Sequence, residues 1–237
     1  MVTEKPGVMF VSTHHKAMTT YFHAVLRPLC LALSIPFDRV NSELPDPTAR
    51  LFLSMQGKQD FKALGAYRGI HVMRDPRDMI VSGYHYHKWT HESWVHRLDD
   101  QGESYQEKLN RLDKRDGLFL EIQHFIFFYR STLERWDMSD QHMLEVSYES
   151  LMGPERDSNY TEIFTHLGFE SAELDLAVDL MRLFEAESRS GKRPGAVSKR
   201  SHMRSGKPRQ WETDLAPEHL DYINQELGQI LEKFGYR

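Results

Sequence analysis

The period of the apolar positions changes several times along the chain, and each change marks an element. Residues 8–11 form an unbroken apolar run between small polar residues, the pattern of a central parallel strand buried on both faces. From Phe22 the apolar positions recur at 25, 26, 29 and 33, which predicts a helix over residues 18–33 that Pro28 should bend. Residues 38–46 carry Asn41, Ser42 and Glu43 ahead of Pro45 and Pro47, the composition of a surface loop. Residues 50–55 and 69–73 read as the second and third strands. Asp75 is suited to cap a helix and Pro76 to open it, so a helix follows the third strand directly. Residues 99–116 are polar and predict a solvated helix with loops. Phe119, Ile122, Ile126, Tyr129, Leu133 and Trp136 mark a long buried helix. A strand over 143–146 and helices over 161–167 and 174–187 follow. The last helix has Pro217 near its start, apolar positions at 220, 223, 227, 230 and 234, and Gly235 at its end. Strands alternating with helices over 237 residues indicate an α/β fold. The expectation is one three-layer α/β/α domain over residues 1–237, its sheet mostly parallel and its site residues at the carboxyl ends of the strands.

Composition narrows the function. A net charge of −5 argues against general nucleic-acid binding, so any anion site must be a local concentration of positive residues. Cys30 is the only cysteine, which excludes an intrachain disulfide and thiol-rich zinc sites. The first strand begins within ten residues, leaving no room for a signal peptide, and no apolar run approaches a membrane span. These features predict a cytoplasmic protein.

Four stretches carry candidate chemistry. Between the first strand and helix lie His14, His15, Lys16, Ala17, Met18, Thr19 and Thr20, where backbone N–H groups and the helix dipole would meet an anion. An ordinary strand-to-helix junction with a solvated lysine fits the same residues. The stretch lacks both glycines of the nucleotide loop G-x-x-x-x-G-K-[ST]. In the second stretch, Arg74 and Ser82 stand eight residues apart, with the serine roughly 10 Å along the helix at 1.5 Å per residue. The two could grip one phosphate; a capped helix with an exposed arginine is the plainer alternative. The third, residues 84–96, is crowded with aromatics and histidines. Its His87 and His91 have a spacing that could hold a metal on a helix, but no further ligand stands clearly with them, and no metal is expected. An aromatic rim here would suit a sugar, phenol or lipid, as would core packing. The fourth, residues 189–209, holds eight Lys or Arg and no Asp or Glu. Tied to a helix on its far side, it predicts a basic loop that closes over a polyanion.

Three of these stretches together resemble the sulfotransferases that use 3′-phosphoadenosine 5′-phosphosulfate (PAPS). His15 to Thr20 is similar to their phosphosulfate loop P-K-[ST]-G-T-T, with Ala17 and Met18 in place of the small hydroxyl and the glycine. Arg74 to Ser82 is similar to R-[DN]-P-[RK]-D-x-x-x-S, their 3′-phosphate motif. Arg204, Ser205, Gly206 and Lys207 with Trp211 resemble the R-K-G…W element that closes on the 3′-phosphate and adenosine, a serine replacing the lysine. Tyr148 lies in a segment similar to Y-E-D-L, which makes it a candidate adenine contact. The resemblance implies a P-loop-like fold, PAPS as co-substrate with no metal, and sulfuryl transfer to the hydroxyl or amine of a small-molecule, carbohydrate, lipid or phenolic acceptor. It also implies that Lys16, Thr19 and Thr20 neutralise the leaving phosphate.

Many cytosolic members carry a histidine at the end of the strand that precedes the arginine motif; here that strand ends Leu51-Phe52-Leu53-Ser54-Met55-Gln56 and has none. Glu43, twenty-seven residues after Lys16, stands where members acting on carbohydrates or protein tyrosines place a glutamate; enclosed beside the acceptor it would have a raised pKa, and a solvated surface glutamate is the equally weighted alternative. His15, His14, His85 and His87 are the reserve bases. A non-catalytic nucleotide or RNA binder and a small-molecule kinase are the rival readings; the kinase would need a glycine loop and a magnesium-binding acidic strand end.

Overall fold

The computed structural model describes residues 7–189 and 208–237. The chain divides into two compact units, Met1–Arg74 with Asp137–Lys192 and Asp75–Trp136 with Arg193–Arg237.

The first unit is built on strands β1 (Val8–Thr13), β2 (Phe37–Val40), β3 (Leu51–Ser54), β4 (Tyr67–Met73) and β5 (Met143–Ser147). They form one parallel sheet in the order β2-β3-β1-β4-β5. The central strand explains the apolar run at the start of the chain: Met9 and Val11 face one core while Phe10 faces another. Against the first core pack α1 (Thr19–Ala32) through Phe22, Val25, Leu26 and Leu29. Its other helical walls are α6 (Arg156–Leu167) through Tyr160, Ile163 and Phe164, and α7 (Ser171–Arg189) through Ala177 and Met181. The short α5 (Tyr148–Met152) leaves β5 with Ser147 as its cap. On the other face Phe10 stacks between Phe52 and Phe61, with ring centroids 5.0 and 4.3 Å away.

The second unit is helical: α2 (Pro76–His87), α3 (Tyr105–Arg111), α4 (Lys114–Arg135), α8 (Trp211–Asp214) and α9 (Pro217–Lys233). Asp75 caps α2 by accepting from the Arg77 amide at 2.9 Å, and Pro76 opens the helix, as the sequence implies. Lys233 closes α4 by donating to the carbonyls of Leu133, Glu134 and Trp136 at 3.0, 2.8 and 2.5 Å, a cation set against the negative end of the helix. Among the described residues no helix is long and apolar enough to cross a membrane.

One expectation is corrected. Strand β2 occupies the beginning of the supposed 38–46 loop. It is a four-residue edge strand whose pairing with β3 is made by the backbone, so Asp38 and Arg39 can point outward. The loop proper starts after Val40.

The strand ends also carry a buried polar chain that the apolar pattern conceals. His14, just past β1, bonds His71 of β4 through their Nε2 atoms at 2.8 Å, and His71 Nδ1 meets Glu145 Oε2 of β5 at 2.5 Å. Both imidazoles are fully buried. Burial, reinforced by His71, holds the His14 pKa well below its ordinary 6.5, against a smaller opposing contribution from a hydrogen bond to the Gln56 backbone.

Two stability predictions follow from these contacts. Gly69 lies directly opposite Phe10 in the β1–β4 register, and a Cβ there would come within 2.5 Å of the ring and into Met143 Sδ. Gly69→Ala should therefore cost about 1 to 3 kcal/mol in urea unfolding, as overpacked cores do; an unchanged midpoint would show that the ring moves freely. The depressed His14 pKa sets a sign for pH. Below 6.5 the unfolded chain takes up a proton at this residue and the folded chain does not, so stability falls as pH drops through 6.5 and rises again with alkalinity. Urea unfolding at pH 7.5 and 5.5, with the His14 ring followed by NMR, checks this. The ring signals should stay neutral at the lower pH.

Candidate functional site

The site is assembled from the carboxyl ends of the central strands. With β3 and β4 on opposite sides of β1, the chain changes direction across the sheet there, which is where open parallel sheets bind ligands. The first loop at that point runs from His14 to Met18. Its backbone turns sharply: the His14 carbonyl accepts from the Ala17 amide at 2.9 Å, and Lys16 and Met18 adopt left-handed φ of 65° and 67°. For residues with a Cβ that conformation costs roughly 1 to 2 kcal/mol each. Met18 stands where the resembling loop has glycine, and its side chain packs against the core of α1, α6 and α7, which compensates part of that cost. Ala17 is buried. The missing glycine therefore does not abolish the turn.

The loop delivers an anion-ready helix start. No side chain caps α1, and its first turn holds no acidic residue. Thr19 turns its hydroxyl back to the His14 carbonyl at 3.0 Å and to the Thr13 hydroxyl at 2.8 Å, while Thr20 is exposed. A helix start of this kind presents the positive end of the dipole and its backbone N–H groups to whatever lies before it. Lys16 and His15 are half-buried beside it.

Arg74, at the end of β4, reaches the same loop. Its Nη1 donates to the Lys16 carbonyl at 3.0 Å, and its guanidinium lies over the Tyr148 ring, 4.3 Å from the centroid. Both side chains are nearly buried. The structure thus joins three residues singled out separately in the sequence, Lys16, Arg74 and Tyr148. The arginine braces the strained loop, a role its sequence motif does not reveal.

The second unit organises the rest of the arginine motif. Ser82 is half-buried on α2. The buried Asp78 carboxylate accepts from the amides of Arg209 at 2.8 Å and Trp211 at 3.0 Å, and Arg77 lies over the Trp211 ring at 3.9 Å while chelating Asp75. Arg77 and Asp78 are therefore the fasteners for the end of the basic segment. Arg204, Ser205 and Gly206, with most of the 189–209 stretch, lie outside the described residues.

Among the base candidates the expected environment of Glu43 is corrected. Its side chain is exposed rather than enclosed, and hydrogen bonds from its own amide and those of Asn41 and Ser42 hold its carboxyl below the usual range. The reason is local: a glutamate at this turn satisfies the turn's own N–H groups. His14 is fully buried in the chain to His71 and Glu145, two partners that sequence reasoning missed. His85 lies 3.5 Å from Asp214 and His87 2.9 Å from Glu121. His87 and His91 do not share a helix, because α2 ends at His87 and His91 is exposed, which agrees with the expectation that this pair holds no metal.

No curated protein shows a significant sequence match. Among solved structures the chain is similar to mouse sulfotransferase SULT7A1 complexed with PAP, at 14% identity and a TM-score of 0.60 over 94% of this chain and 84% of that one. It is also similar to retinol dehydratase in complex with androsterone and inactive cofactor PAP, at 13% identity and 0.54 over 94% and 80%. A second retinol dehydratase structure, with retinol and PAP, matches at 16% and 0.55 over 96% and 82%. These likenesses establish an α/β fold with a parallel sheet flanked by helices. A family model described as the sulfotransferase domain matches residues 58–235, a span that includes Arg74, Ser82 and Tyr148 and begins after the Lys16 loop. The chain belongs to the sulfotransferase domain family.

Proposed function

We propose that this chain is an enzyme transferring the sulfuryl group of PAPS to the hydroxyl or amine of a small organic acceptor, with adenosine 3′,5′-bisphosphate as the other product. The observation that carries the reading is the uncapped start of α1 behind the Lys16 loop, braced by Arg74 from the neighbouring strand. Solved relatives of the same fold hold PAP. Bound here, PAPS would supply an activated sulfuryl group whose transfer leaves a phosphate carrying new negative charge. Lys16 and the N–H groups at Thr19 and Thr20 are the residues that meet this charge, and their fixed orientation favours the transition state over the ground state. The resemblance of the motifs supports assigning Arg74 and Ser82 to the 3′-phosphate, Tyr148 to the adenine, and Arg204, Ser205 and Gly206 to the nucleotide as well. The domain extends over residues 1–237, and Cys30, a buried lone thiol pushed up to about 12 by burial, fits a reducing cytoplasmic setting.

The proton of the acceptor needs a base. The lowered pKa of Glu43 makes it a weak one, which favours the half-buried His15 next to Lys16. Carbohydrate, lipid and phenolic acceptors all remain within the class.

Calorimetry with adenosine 3′,5′-bisphosphate tests the nucleotide assignment. Arg74→Ala should weaken binding by about 2 to 5 kcal/mol, the cost of removing one partner of a charged contact. Lys16→Ala should depress turnover more than affinity. Normal bisphosphate affinity in a folded Arg74→Ala protein, or stronger thermal stabilisation by ATP-Mg than by the bisphosphate, would refute the assignment. For the base, turnover at saturating PAPS over a panel of alcohols, phenols, sugars and amines is compared in two variants. His15→Gln should lose about 100-fold, within the usual range for a general base, with Glu43→Gln near normal. The reverse ranking would return the role to Glu43.

A further inference from the structure

The second unit contains a constellation that sulfuryl transfer does not use. Glu121 and His124 stand three residues apart on α4 and so share a helix face, and His87 comes from the last residue of α2. One ligand atom from each lies within 4.8 Å of the others. Two imidazoles and a carboxylate are the donor set of many mononuclear divalent-metal centres, in which further positions stay open to water. We propose that His87, Glu121 and His124 bind a divalent transition-metal ion such as zinc, whose three-ligand sites combine imidazole and carboxylate donors with a position open to water.

The surroundings are built for a buried charge. Glu121 is almost fully buried, yet its carboxylate has room because residue 83 is glycine; a Cβ there would collide with Glu121 Oε1. Tyr105 donates its hydroxyl to Glu121 Oε2 at 2.8 Å, the kind of outer hydrogen bond that orients a ligating carboxylate. The His124 ring lies flat on Trp94, 4.7 Å between centroids and 7° between planes, which fixes its direction. In the metal-free chain His87 Nδ1 and Glu121 Oε2 share a hydrogen bond of 2.9 Å. A tetrahedral zinc with bonds of about 2.0 to 2.1 Å sets its ligand atoms about 3.3 Å apart, so the widest of the present separations, at most 4.8 Å, needs to close by up to about 1.5 Å. The ion would then clasp the end of α2 to the middle of α4.

Tag-free protein is stripped with a chelator and titrated with Zn²⁺ while its melting temperature is followed, and separately with Co²⁺ while visible absorption is recorded. The expected result is one ion per chain, a rise in melting temperature, and cobalt d–d bands of a four- or five-coordinate site. His124→Phe keeps a ring on Trp94 and removes the donor; it should lower affinity by more than about 100-fold, beyond the 10- to 100-fold typical of a lost outer partner. Tyr105→Phe should fall within that smaller range. His91→Ala, at the exposed histidine, should bind normally. If folded wild-type protein gives neither a zinc-dependent melting shift nor cobalt bands, or if His124→Phe binds as tightly as the parent, the cluster is a buried hydrogen-bond network only and the proposal fails.

Discussion

A helix start without a cap, at the end of the central strand, is the constraint around which the first unit is arranged. Four N–H groups at the first turn of any helix lack partners within it, and most helices bring a serine, threonine or aspartate to meet one of them. Helix α1 brings Met18 instead and keeps acidic side chains away. A positive helix end without a side-chain cap beside a lysine is where the proposed function seats its anion, and Arg74, at the end of the neighbouring strand, holds the loop that shapes it. The sheet order places these parts together because β1 lies between β3 and β4.

Local signals were legible in the sequence where a single residue type has a strong local consequence. The apolar run of β1, the Asp75 cap with Pro76, and the spacing of α4 and α9 could all be placed to within a few residues. Strand β2 could not, since edge pairing asks only for backbone groups and leaves charged side chains outside. The long-range partners were also hidden. Glu145 lies 74 residues from His71, and Glu121 lies 34 from His87; neither separation has a period that a linear reading detects. The helical spacing of histidines 87 and 91 carries no structural meaning, because the helix stops at His87.

Electrostatics separates the roles that residue identity left open. Glu43 and Glu121 are both glutamates, yet one is exposed at a turn where backbone donors stabilise its charge and the other is buried between an imidazole and a phenol. Asp78 is similar in kind to Glu121. Its carboxylate is spent on two amides of the segment returning toward α8, so the acidic residue of the arginine motif serves the chain's own closure.

The left-handed methionine at position 18 links the cradle to the core. A glycine there would reach the same φ with no side chain to anchor it and with many more backbone states to lose on ordering. Met18 reaches it with its side chain packed against the core between the sheet and its helices. The shape of the loop before α1 is thereby set when the protein folds, and for the proposed anion little ordering is left for the ligand to impose. Such a loop trades adaptability for rigidity: what distorts the packing beneath Met18 distorts the cradle as well.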